Sequence, residues 1–344
     1  MFSPSLKQMV LGRLREFQRE PSAMVFVLTM PVLWMTILGF VFSDPKPPVY
    51  GVGLHNSVEE SVVAQLRAME SFKISEADDV QGFVNPIRRG EIQVVVQFQE
   101  GQYVYQYDLS HPKGLEARRA VNESIQSIEG RIDVVPSQDV LRKENGSRYI
   151  DFLIPGLLAL SLFTTSLFGT GMTIVASRRE NILKRYRATP MKPLEYIISH
   201  ILGRYIVSFV EFAVIMLSGF LLFDFQVLGS WFAFVLICVV GTAAFTALSI
   251  LCGARTSNTA AYAGMNNLVT LPMMIFSGVW FSRGDFPGWL NAICDWLPLT
   301  PLVDGLRVVA LEGGGLMDVQ SQVLILALYA VAGALVTQKV FKWY

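Results

Sequence analysis

The segment Ser177 to Glu195, SRRENILKRYRATPMKPLE, lies between two long apolar runs and carries Arg178, Arg179, Lys184, Arg185, Arg187 and Lys192 against Glu180 and Glu195. A short loop this rich in Lys and Arg, directly abutting membrane spans, is retained on the cytoplasmic side of a bilayer. Crossings can therefore be counted outward from it in both directions. Within the loop Ile182, Leu183 and Tyr186 fall at helical spacing among the charges, and Pro190 and Pro193 close the segment. The pattern predicts a short amphipathic helix presented to the cytosol. A basic loop of this kind also serves, without any partner, as a solvated topology anchor.

Hydrophobic residues make up 52% of the 344 and charged residues 16%, a balance that excludes an ordinary soluble protein and places the chain in a bilayer. The formal net charge is zero, and no nucleic acid is expected as a partner. Cys238, Cys252 and Cys294 have neither the spacing of a metal site nor that of a disulfide framework. His55, His111 and His200 are scattered, without the partners that make a metal site, and read as solvated or packed side chains. There is no phosphate-binding loop, no dinucleotide fingerprint and no nucleophile elbow. The chain is therefore not expected to be an enzyme or to bind a cofactor, and any energy must be supplied from elsewhere.

Upstream of the basic loop, a span over 150–176 holds Ser161, Thr165, Gly169 and Thr173, with Ser177 directly after it, all small and four apart. Small residues at this spacing let helix backbones approach closely, within the chain or across a dimer, and Ser161, Thr165, Gly169 and Thr173 are the candidate seam. Residues 43–149 change character to a small α/β domain introduced by DPKPP. Strands are predicted at Tyr50 to Leu54, Gln93 to Phe98 and Tyr103 to Leu109, the last two joined by a turn at Glu100-Gly101. Helices are predicted at Val58 to Met69, Val80 to Arg89 and Leu115 to Ile128. The first span, 22–42, contains Pro31 and is long enough to cross about 30 Å of hydrocarbon. Before it, residues 1–21 place Leu6, Met9, Val10, Leu14 and Phe17 on one helical face, with Lys7, Arg13, Arg15 and Arg19 elsewhere. Such a helix lies along the inner membrane surface in contact with lipid, and without a small-residue cleavage site it reads as an uncleaved anchor.

Downstream, spans are predicted over 196–223, 231–252, 260–281 and 321–340. The hairpin between the first two of these carries Asp224 and no Lys or Arg, and the inner turn Gly253 to Thr259 carries Arg255. Residues 282–320 are net acidic through Asp285, Asp295, Asp304, Glu312 and Asp318 against Arg283 and Arg307, which favours an outer location. Their Phe286, Trp289, Trp296, Pro298 and Pro301 suggest short helices at the outer interface. Lys339 and Lys342 return the C-terminus to the cytoplasm. The expectation is a polytopic α-helical membrane protein with six transmembrane helices, both termini cytoplasmic, and an extracytoplasmic α/β domain between helices 1 and 2.

Inside the bilayer, Arg204 and Glu211 share a face of the third span, about two turns or 10.5 Å of rise apart. Intramembrane ionisable groups are costly enough to be functional candidates by default. Arg204 is near enough to the inner border to snorkel, and Glu211 can pair with a neighbouring helix, so structural and transport roles both stand. Asn266 and Asn267 divide in the same way between interhelical hydrogen bonding and lining a path.

Four stretches carry a family resemblance over almost the whole chain: the amphipathic start, ENILKRYRATPMKPLEYIISHILGR (180–204), LPMMIFSGVWFSRGDFPGWLNAI (271–293) and LPLTPLVDGLRVVALEG (297–313). The chain resembles the membrane subunit of a type-2 ATP-binding cassette exporter, of the bacterial subgroup with a large outer domain between the first two spans. The resemblance implies a type-2 transmembrane domain over roughly 110–343, the bacterial inner membrane as location, and a separate ATPase subunit that binds ATP and Mg. It implies that Ser177 to Glu195 holds the coupling helix, with Glu180, Asn181, Lys184, Arg185 and Arg187 facing the ATPase. It further implies a connecting helix at the start, paired outer helices over Phe286 to Leu311, and a second permease chain, identical or paralogous. A periplasmic adaptor delivering cargo to the outer domain fits the same picture. A secondary transporter would need an inverted repeat with interrupted spans, which the sequence does not display. A membrane-anchored scaffold or sensor working through the outer domain is the remaining alternative.

Overall fold

A computed structural model of the protein describes residues 4–19, 21–42, 48–108, 113–131, 148–188 and 193–341. It divides into two compact units, one made of Met1–Ser43 with Lys143–Tyr344 and the other of Asp44–Arg142. The chain opens with two helices, α1 (Pro4–Arg19) and α2 (Pro21–Phe42). On α1 the burial of Leu6 and the exposure of Lys7, Arg15 and Arg19 follow the amphipathic pattern.

The second unit is a four-stranded sheet of β1 (Tyr50–His55), β2 (Phe72–Ala77), β3 (Val94–Gln99) and β4 (Gln102–Tyr107), in the order β2-β1-β3-β4. β1 runs parallel to β2 and β3, and β3 and β4 form an antiparallel hairpin. Helices α3 (Glu60–Ala68), α4 (Val84–Arg88) and α5 (Gly114–Ile128) complete it. Val52, Leu54, Val94 and Val96 of the sheet are buried in one cluster with Val62 and Leu66 of α3 and Ala117, Val121 and Ile125 of α5. The hairpin turn has Glu100 at φ 49° and Gly101 at φ 78°, the pair of left-handed residues whose twist matches the strands it joins. The predicted strand at Tyr103 ends at Tyr107, and Leu109 lies outside the described residues. Two further differences from the sequence reading have local causes. β2 was not expected, because an edge strand reading FKISEA exposes most of its length and lacks clean alternation. The predicted helix over Val80 to Arg89 is split into a 3₁₀ turn, Val80–Phe83, and α4.

The first unit continues with α6 (Tyr149–Arg179), α7 (Ile182–Arg187), α8 (Pro193–Phe223), α9 (Trp231–Cys252), α10 (Thr259–Phe276), α11 (Gly288–Cys294), α12 (Leu299–Leu311) and α13 (Gln320–Val340). Among the described residues, α2, α6, α8, α9 and α13 are long and apolar enough to cross a membrane. α6 is the central one: 67% of its apolar window is buried against 11% of that of α2, and it meets α2, α8, α9, α10 and α12. Phe209, Leu221, Phe232, Leu268 and Leu328 are exposed on the outer faces, where hydrocarbon rather than water is the matching solvent.

The predicted span over 260–281 takes a shorter form. α10 stops at Phe276 because Ser277 and then Gly278, at φ 75°, terminate it in the left-handed manner common after helix ends. Its 18 residues rise about 27 Å, and Asn266 and Asn267 keep its mean hydropathy below that of the five long helices. α10 is held to the centre by Tyr262, whose hydroxyl donates to the Leu167 carbonyl at 2.7 Å and sits 3.3 Å from Ser249 Oγ. Ser249 Oγ itself donates to the same carbonyl at 2.8 Å, so one backbone oxygen of α6 ties α9 and α10 together. Gly171 makes this possible, since a Cβ there would coincide with the Tyr262 hydroxyl. Gly171→Ala is expected to cost about 2 kcal/mol through overpacking of this joint. Gly264→Ala, on α10 with open space around it, should be neutral or slightly stabilising. Thermal unfolding of the detergent-solubilised protein distinguishes them, and equal midpoints would contradict the tight joint.

Candidate functional site

The basic segment builds its helix as its pattern predicts. Asn181 precedes α7 in the left-handed conformation, φ 59° and ψ 18°, which asparagine tolerates better than most residues. The turn reverses the chain directly after α6. Leu183 of α7 is fully buried against Ile174 of α6, Tyr196 of α8 and Ile250 of α9, with Met9 of α1 and Tyr186 around them. Five helices, α7 among them, thus share one apolar knot. Glu180, Asn181, Lys184 and Arg185 are exposed on the other side, and the side chain of Arg187 lies outside the described residues, as do Lys192 and Pro190.

Arg178, the last residue but one of α6, has a different role from its neighbours in the basic segment. Its guanidinium is buried and donates to the carbonyls of Gly253 at 2.7 Å and Ala254 at 2.8 Å, and also to that of Thr256. These oxygens belong to the turn after α9, where unpaired carbonyls and the negative end of the helix dipole favour a cation. The guanidinium carbon also lies 5.4 Å from the centre of the Phe341 ring. Charge counting along the sequence treats Arg178 as one of six cations in a loop. Only the fold reveals that its partners are backbone atoms some 75 residues away.

Deeper in the helices, α2, α6 and α8 enclose a groove of about 1150 Å³ whose walls are mostly apolar, among them Phe26, Trp34, Phe168 and Val207. Arg204 and His200 enter it from α8, and Ser161, Thr165, Gly169 and Thr173 line it from α6. Arg204 does not snorkel. It turns inward, 8% exposed, and donates to Glu211 Oε1 at 2.6 Å and to Thr165 Oγ1. The Thr165 hydroxyl lies 2.9 Å from Glu211 Oε2 and 2.5 Å from the Ser161 carbonyl, and Ser161 Oγ donates to Glu211 Oε2 at 3.4 Å. Glu211 is thereby 1% exposed and surrounded by donors. An ion pair so far from water persists only where hydrogen bonds satisfy the remaining lone pairs, which the two hydroxyls do for the carboxylate. Arg204 Nε and Ser208 Oγ lack partners among the described residues.

The small-residue ridge therefore has an intrachain face: Ser161 and Thr165 hold Glu211, and a Cβ on Gly169 would stand 3.6 Å from Arg204 Nη1. Thr173 donates to the Gly169 carbonyl at 2.7 Å. The two asparagines part company. Asn266 is 1% exposed and neither end of its amide has a hydrogen-bond partner among the described residues, whereas Asn267 faces outward. His200 packs edge-on against Tyr196 with ring centres 4.7 Å apart. Cys238, Cys252 and Cys294 are free thiols, and no group of side chains able to hold a metal occurs among the described residues.

At the opposite end, Arg283 joins the two short helices predicted there, reaching Asp295 of the α11 C-terminus at 2.8 Å and Asp304 of α12 at 2.5 Å. Arg307 lies 3.4 Å over the Phe152 ring and donates to the carbonyls of Phe152 and Val279, locking α12 to α6. Neither contact is legible from residue spacing alone.

The sequence model for the ABC-2 family transporter proteins matches residues 21–337, nearly the whole chain. The chain belongs to the ABC-2 transporter family. An ABC-2 chain is the transmembrane permease component of an ABC transporter, a multi-pass membrane protein. Among relatives, it is 27% identical over 172 residues to ABC transporter G family member 20 of Dictyostelium discoideum. The match takes in 49% of this chain and 23% of that protein, so the chain spans about a quarter of the relative's length. Family membership favours the ABC transporter reading over the secondary-transporter and scaffold alternatives.

Replacing Arg178 by Ala should destabilise the protein by about 3 kcal/mol, because three buried carbonyls lose a charged donor. Arg178→Lys should recover only part of this, since an ammonium cannot fan out to three acceptors as a guanidinium does. Complete rescue by Lys in thermal unfolding would show that only charge matters there. For the buried pair, Glu211→Ala should cost about 3 to 5 kcal/mol by leaving Arg204 uncompensated. The double substitution Arg204→Met, Glu211→Met should be less damaging than the sum of the singles, a coupling that a double-mutant cycle reads directly.

Proposed function

We propose that this permease forms half of the translocation route of an ATP-driven exporter and is driven by a separate ATPase subunit, which binds ATP and Mg and docks on α7. The observation that carries the reading is the anchoring of α7: Leu183 is sunk among the ends of α6, α8 and α9 while Glu180, Asn181, Lys184 and Arg185 stay exposed. A push on such a helix moves the roots of several helices at once, the mechanical requirement for turning ATPase closure into a rearrangement of spans. Arg187, on the same short helix, is proposed as a further contact.

In this reading the termini and α7 are cytoplasmic, α10 provides a sixth crossing, and the β1 to β4 domain lies outside a bacterial inner membrane. A second permease chain closes the open side of the groove, with Gly169 and Thr173 of α6 facing it beyond the Ser161 and Thr165 contacts to Glu211. The groove's long apolar walls and single buried ion pair suit an amphipathic cargo, with Arg204 and Glu211 on the route and Asn266 and Asn267 at its margin. A periplasmic adaptor would meet the outer domain.

The test is co-purification in detergent with the candidate ATPase, comparing wild type with the triple substitution Glu180→Ala, Arg185→Ala, Arg187→Ala. Loss of the ATPase from a still-folded triple variant is the expected result. Undiminished capture of the ATPase by that variant would remove α7 from the interface.

A further inference from the structure

A second cavity, of about 580 Å³, opens between the start of α7 and the turn joining α9 to α10. Arg178, Arg179, Lys184 and Arg255 line it together with the polar side chains of Ser257 and Asn258, and no carboxylate takes part in the lining. Arg178 is committed to the turn carbonyls. Arg179, Lys184 and Arg255 make no ion pair among the described residues, although each is long enough to have found one. The N-terminus of the 18-residue α10 adds its dipole, beginning at Asn258, whose side chain caps the amides of Ala260 and Ala261 at 2.9 and 3.2 Å. With Arg178 committed, three cations face one concave space, and a bound anion relieves their mutual repulsion.

We propose that this recess binds the phosphate of an anionic phospholipid headgroup. The chemistry it selects is a phosphate oxygen cluster, which guanidinium forks grip in two-point fashion. Its place selects the lipid over a soluble phosphate. The recess lies at the ends of α6 and α9, both long enough to cross a membrane, and in this proposal it sits at headgroup level, where basic pockets between helices gather acidic lipids. A lipid held there bridges α7 to the α9–α10 turn, so it would stiffen the seat of α7 from the membrane side. The inference does not depend on the ATPase, because its test contains none.

The full-length protein is purified in zwitterionic detergent and titrated with phosphatidylglycerol, with retained lipid counted by native mass spectrometry and stability followed by thermal unfolding. Phosphatidylcholine and inorganic phosphate are the comparison ligands. Wild type should retain phosphatidylglycerol and unfold at a higher temperature with it, and should show neither response to phosphatidylcholine. Arg179→Gln with Arg255→Gln should weaken phosphatidylglycerol binding about tenfold or more, whereas Arg179→Lys with Arg255→Lys should keep most of it. Removing an exposed cation elsewhere, as in Lys339→Gln, should change nothing. Equal binding by the double Gln variant overturns the site. A shift produced by inorganic phosphate but not by phosphatidylglycerol overturns the lipid as its source. Wild type that retains no phosphatidylglycerol overturns the proposal as well, and leaves the recess to an acidic side chain of a protein partner.

Discussion

The Arg178 guanidinium is the contact on which the basic end of the helical unit depends. A helix that finishes inside a protein leaves carbonyls without donors, and few side chains reach three of them at once. By donating to Gly253, Ala254 and Thr256, Arg178 closes α9 and fastens the root of α6 to the start of α10. With that link in place, Leu183 has a fixed floor of Ile174 and Ile250 to sink into, and α7 has a defined seat. The exposed charges of α7 owe their presentation to a neighbouring charge that is itself hidden.

The same economy of polar groups governs the interior. Hydrocarbon offers no donors, so each polar atom there must find its partner in the protein. Glu211 has Arg204, Thr165 and Ser161, and the Leu167 carbonyl accepts from both Ser249 and Tyr262. Asn266 and Thr270, on one face of α10, stand out because their polar atoms are buried without partners among the described residues. With Arg204 Nε and Ser208 Oγ of α8, they are polar needs unmet among the described residues.

Helix ends are legible in sequence where they coincide with a step in composition, as at α9, which runs over the same residues as the apolar stretch 231–252, and not at α10, which stops short of Phe281. The pairing of Arg204 with Glu211 was open to the same reasoning, since seven residues bring two side chains to one helical face. The direction of Arg204 was not, because proximity to the border does not say whether a nearby carboxylate outbids water. Backbone acceptors escaped altogether. Arg178 with its turn carbonyls, and Tyr262 with Leu167, pair a side chain with an atom that every residue possesses, so no residue type marks the other half. Edge strand β2 was hidden for a related reason: paired on one side only, it needs little apolar alternation. The ridge from Ser161 to Thr173 signalled close approach, and the approach within the chain is to α8 at its first three positions.

The early end of α10 has a consequence for the lipid around it. A helix of 18 residues rises a few ångströms less than the hydrocarbon a sixth crossing would have to span, and a bilayer meets such a mismatch by thinning beside the helix, among other responses. Leu268, Leu271 and Ile275 would hold that thinned annulus against the protein. Where α10 serves as the sixth crossing proposed above, its short apolar length makes membrane thickness beside it a variable of transport in its own right.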